Sequence, residues 1–73
     1  MTANDIRNIM KVHPFEPFTI HTTGGESILV PHPDYVLFPP SSVQTTTFVV
    51  YDQQNQFHML DIQQVAEVRE HRS

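Results

Sequence analysis

Apolar residues recur along this 73-residue chain first at helical spacing and then, from Phe18 onward, in alternation. Ile6, Ile9 and Met10 stand at i, i+3 and i+4, one face of a short helix over residues 2–12, and the stripe can extend to His13. Thr2 followed by Asp5 fits a capping-box variant at its start, and Pro14 disfavours helical geometry at His13 and ends it. Such a helix is too short to persist alone in water, so its apolar face must lie on something. His13-Pro14-Phe15-Glu16-Pro17-Phe18 reads as a stiff connector, with Phe15 and Phe18 plugging the helix onto a sheet.

Alternation over residues 18–22 and 27–30, around Thr23-Gly24-Gly25-Glu26, predicts a first hairpin. Pro31-His32-Pro33-Asp34 interrupts the pattern that Tyr35 to Phe38 resumes. Residues 26–38 are therefore one long strand bent at 31–34, or two strands at a corner. A loop over Pro39-Pro40-Ser41-Ser42 leads to the clearest signal, residues 45–62, where two β-branched and aromatic runs flank a polar turn. Asn55 sits where a three-residue loop needs a left-handed residue. The outer positions of this hairpin read as mostly Thr, Gln and His. Asp61 can cap one 3₁₀ turn over residues 62–64, a last short strand follows at 66–69, and residues 71–73 read as a frayed tail.

Composition narrows the functional classes. A chain of 73 residues without cysteine forms one small domain, with the helix at 2–12 and a small β-barrel over 18–70, and it has neither disulfides nor thiolate metal sites to strengthen a marginal core. A compact apolar core or oligomerisation is the remaining means. No apolar run approaches the roughly 18 residues of a membrane span, and the N-terminus is too polar for a signal peptide, which predicts a cytoplasmic protein. The formal charge is −4, and all four cations, Arg7, Lys11, Arg69 and Arg72, lie near the ends. Nucleic acid is thus an unfavoured partner, since cations are needed to neutralise phosphates and these meet only if the two ends converge.

The five histidines, His13, His21, His32, His58 and His71, show no HxxxH, HxH or HExxH spacing, so neither a metal nor another cofactor is expected; His21 and His58 could meet only across strands. Gly24-Gly25 lacks the Lys and following helix of a phosphate cradle. His32, Asp34 and Tyr35 are the one close group with acid/base chemistry, but no nucleophile accompanies them, and the prolines already account for a corner. They are candidate partner contacts, and the chain reads as non-enzymatic.

Helix, strands and the 3₁₀ turn before the last strand give a mainly β fold with one N-terminal helix, a five-stranded, strongly bent antiparallel sheet that resembles the SH3-like small barrel in its Sm-like version. The bacterial Sm-like RNA chaperones carry an aromatic, Lys and His signature near the last two strands; Phe57-His58-Met59-Leu60-Asp61-Ile62 stands there without the Lys. That resemblance implies an RNA binder using Arg7, Lys11, Arg69 and Arg72, or a ring closed by strand pairing between subunits. A second resemblance rests on Pro14-Phe15-Glu16-Pro17-Phe18-Thr19-Ile20-His21, Val30-Pro31-His32-Pro33-Asp34-Tyr35, Val49-Val50-Tyr51-Asp52 and Leu60-Asp61-Ile62-Gln63-Gln64-Val65. These are similar to a family of short uncharacterised bacterial proteins with a Pro-Phe-x-Pro-Phe entry, a His-Pro-x-aromatic corner and an Asp-Leu-x-x-Val ending, which implies one bacterial cytoplasmic domain and no particular activity. The expected function is a protein-interaction module that self-associates as a homo-oligomer, with RNA binding as the alternative.

Overall fold

The computed structural model describes residues 2–38 and 47–71. Helix α1 (Ala3–Met10) is held at its start by the expected reciprocal bonds: Asp5 N–H donates to Thr2 Oγ1, and Thr2 N–H donates to the Asp5 carboxylate. It is shorter than the predicted 2–12, since Lys11 already serves as its C-cap, and His13 is exposed rather than part of the stripe. Ile6 is fully buried, while Ile9 and Met10 pack against the core from its margin.

Six strands follow among the described residues: β1 (Phe18–Thr22), β2 (Ser27–Val30), β3 (Val36–Leu37), β4 (Thr47–Tyr51), β5 (Phe57–Asp61) and β6 (Val65–Glu70). They form two three-stranded antiparallel sheets, in the orders β2-β1-β6 and β3-β4-β5. This corrects the expectation of a single five-stranded sheet. Pro33–Tyr35 forms a 3₁₀ turn, with Pro at its start and the Val36 amide donating back to the Pro33 carbonyl, so the stretch 26–38 is two strands at a corner. Proline lacks the N–H that a continuous ladder needs.

The core lies between the sheets. Phe18 and Ile20 of β1, Ile28 and Val30 of β2, Val36 of β3, Phe48 and Val50 of β4 and Leu60 of β5 are all buried, and Ile6 joins the same cluster from the helix. Phe15 packs beside Phe18 with ring centroids 5.9 Å apart, as the connector predicts. The 3₁₀ turn Ile62–Gln64 is capped reciprocally by Asp61 and Gln64, and it leads β5 into β6. His71 does not fray: its amide donates to the Pro17 carbonyl, and its ring bonds the Thr19 hydroxyl. The loop at 39–42, the first residues of the 45–62 hairpin and Arg72 lie outside the described residues.

Both hairpins close in the same way. Thr22 N–H donates to Glu26 O and Asp52 N–H to Gln56 O, each at 2.8 Å, and the residue two positions before each returning strand has positive φ: Gly25 at 89° and Asn55 at 63°. Glycine occupies the first without strain, whereas a side chain there is disfavoured whatever the space around it. Gly25→Ala should therefore destabilise the fold by about 1–2 kcal/mol. Gly24→Ala, whose added Cβ would make an ordinary 3.8 Å contact with Thr22 Oγ1, should cost less. Urea titration of the two variants checks the order.

Candidate functional site

Register decides what each sheet shows to solvent. The outer face of β2-β1-β6 is mainly polar, with Thr19 beside Arg69 and His21 between Ser27 and Glu67. The outer face of β3-β4-β5 is mainly apolar, with the Thr47 and Asp61 pair at one end. Leu37, Val49 and Met59 align in one row, and Tyr51 and Phe57 pair in the next. Leu37, Tyr51, Phe57 and Met59 are 54, 38, 63 and 66 % exposed. The outer positions are thus not the Thr, Gln and His expected, because Phe48 and Val50 fill the core and so fix the phase of β5, which turns His58 inward with Leu60. The Tyr51 and Phe57 rings lie 6.3 Å apart, tilted against each other.

The same phase creates a polar site at the other side of the hairpin. Asp52 and His58 are diagonal neighbours on the inner face, and the His58 Nε2 to Asp52 Oδ2 distance is 2.9 Å. Asp52 Oδ1 also accepts from the amides of Gln54 and Gln56, so the hairpin turn fixes the carboxylate. The His58 hydrogen bond, with those amides, holds the Asp52 carboxyl below its ordinary value against an opposing desolvation. Across the gap, from the turn between β1 and β2, Glu26 Oε2 stands 3.6 Å from His58 Nδ1. The three residues border a cleft of about 380 Å³, whose other walls are Ser27 to Leu29 of β2 and Gln53 and Gln54 of the turn.

A depressed folded-state pKa contributes stability above the unfolded value, and that contribution is lost as pH falls through the folded one. Wild-type protein should therefore lose thermal stability on acidification through and below the ordinary carboxylate range. Asp52→Asn keeps an acceptor for the turn but loses the charge facing His58, so it should melt lower than wild type near neutrality and converge with it in acid. Thermal melts across pH check the convergence.

The predicted partner contacts occupy the corner. His32 precedes the 3₁₀ turn and is exposed, Asp34 is exposed within it, and Tyr35 packs against the core, its ring centroid 6.1 Å from that of His32. Asp34 and Tyr35 border a smaller cleft of about 180 Å³ with Tyr51 and Asn55. Of the four cations, the Arg7 guanidinium lies 4.8 Å from the centre of the Phe38 ring, Lys11 is exposed at the helix end, and Arg69 pairs with Glu67 at 3.2 Å. Arg72 lies outside the described residues. His21 bonds Ser27 Oγ at 2.9 Å, while His58 is held by Asp52. Among the described residues no three His, Asp or Glu side chains are grouped to hold a metal ion, and no helix is long and apolar enough to cross a membrane.

Sequence reasoning passed over the Asp52, His58 and Glu26 site. The first two were within reach, because both fall on even positions of one hairpin; Glu26 arrives only by the folding of one sheet over the other. Comparisons of the chain with protein-family models, with curated proteins and with solved structures return no match in any of the three.

Proposed function

We propose that this chain is a protein-interaction module that self-associates through the outer face of β3-β4-β5, on a scaffold of the SH3-like kind opened at its corner. The strand order, with a 3₁₀ turn before the last strand, supports that scaffold. The observation that carries the function is the patch of Leu37, Val49, Tyr51, Phe57 and Met59. The four most exposed of these side chains present on the order of 100 Å² each, so the patch reaches about 400 Å², the size of the largest apolar patch on a typical monomer, which is often functional.

A second copy suits this face because no charged side chain lies within those rows, and in a two-fold pair the same patch meets itself. The edge of β5 adds to it. The Asp52 to Gln56 bond makes that pair a hydrogen-bonded one, and such pairs alternate along the ladder, so the N–H and C=O of Phe57 and Met59 point away from β4. The residues that offer apolar side chains therefore also offer strand-pairing groups. RNA binding through Arg7, Lys11, Arg69 and Arg72 is the weaker reading, since Arg7 is engaged with Phe38 and Arg69 with Glu67.

Methyl-labelled methionine separates this face from the rest of the molecule. On dilution the Met59 ε-methyl resonance should shift, while that of Met10, packed on the core margin, stays in place. A Met59 resonance independent of concentration would end the self-association reading.

A further inference from the structure

The cleft beside β2 carries an inference separate from the apolar face, because His58 and Asp52 line it from the inner side of the hairpin. Two independent features define what it can take. The first is an open strand edge. Thr22 N–H bonds Glu26 O, and Pro17 O accepts from His71 N–H on the other side of β1; stepping by two along both ladders, the residues of β1 that face β2 are Phe18, Ile20 and Thr22. Their partners are Val30, Ile28 and Glu26, so the N–H and C=O of Ser27 and Leu29 point away from β1 into the cleft. Those groups have no backbone partner among the described residues.

The second feature is a pair of carboxylates, Glu26 and Asp52, on either side of His58. Asp52 as a carboxylate can only accept, so Nε2 of His58 is the donor in their bond. His58 Nδ1 faces Glu26 Oε2 at 3.6 Å. With no Lys or Arg among the described residues lining the cleft, the two carboxylates favour a cation there. A primary ammonium, with three donors and a positive charge, suits that surface.

We propose that this cleft binds an extended peptide, which adds as a strand to the edge of β2 and places a lysine ammonium against the Glu26 carboxylate. Backbone pairing with Ser27 and Leu29 supplies affinity, and the ammonium supplies selectivity. Phosphate-bearing partners are disfavoured by the two carboxylates.

The probe is a capped pentapeptide, Thr-Val-Lys-Val-Thr, with versions carrying norleucine or Glu in place of Lys, and n-butylamine as an amine without a backbone. Each is titrated into the full chain and read by the amide resonances of the protein. The lysine peptide should give saturable shifts at Ser27, Leu29, Gln54 and His58, and the Glu peptide should bind at least about tenfold more weakly. Glu26→Gln, at an exposed position, should weaken the lysine peptide about tenfold and leave the norleucine peptide unchanged. The same titration in Phe57→Glu/Met59→Glu should give the same result, which separates this site from self-association. Absence of saturable shifts at Ser27 and Leu29, equal binding of all three peptides, an unaffected Glu26→Gln, or butylamine reproducing the peptide's shifts would overturn the proposal.

Discussion

Phe48→Ala should remove most of the stability of the fold. Phe48 is 1 % exposed, sits opposite Leu60 across the central hairpin, and stacks on Phe38 with ring centroids 5.2 Å apart. Deleting a buried phenylalanine costs about 3–5 kcal/mol, from lost transfer energy and the cavity left behind. A chain of this length has only about 4–11 kcal/mol in total. The loss would also spread, because Phe38 carries the Arg7 guanidinium on its ring and so links the core to α1. Phe57→Ala, on the same hairpin but 63 % exposed, should change stability in dilute solution by no more than about 0.5 kcal/mol. Chemical denaturation of the two variants, followed by circular dichroism, checks both values.

Phe57→Glu/Met59→Glu should leave the fold intact and abolish self-association. Both side chains lie on the outer face, outside the buried cluster, so the core does not see the change. At an interface the effect is large. Each substitution removes apolar area and brings a carboxylate into a surface that two copies must desolvate. In a two-fold pair the charges from both copies converge, so affinity should fall at least about a hundredfold. An unchanged melting curve in dilute solution, beside lost concentration dependence, is the expected pattern. A variant that associates as well as wild type would place the contact elsewhere.

Much of the local structure was legible because it is fixed by bonds between near neighbours. Thr2 and Asp5 cap α1, Asn55 takes the left-handed turn position, and Asp61 with Gln64 caps the 3₁₀ turn. At the corner the prolines announced a break, but the pattern over 26–38 could not decide between a bent strand and two strands; packing of Val30 and Val36 into the core from two different sheets decides it. The inner and outer faces of the central hairpin were harder. Phe48, Val50 and Leu60 alternate with Val49, Tyr51, Phe57 and Met59, so both phases are apolar and alternation alone does not say which is buried. Tertiary contact with Phe18, Ile20 and Ile28 chooses the first set and leaves the second to solvent. The cleft was least legible, since Glu26 and His58 come from different hairpins and meet only when the sheets close on each other.

Light scattering coupled to size exclusion, over a concentration series of wild type and Phe57→Glu/Met59→Glu, tests self-association through this face most directly. The account predicts a wild-type mass that rises with concentration to a multiple of the 8.4 kDa chain, while the variant stays at 8.4 kDa throughout. A wild-type mass of 8.4 kDa at every concentration, or the same rise in both proteins, would contradict it.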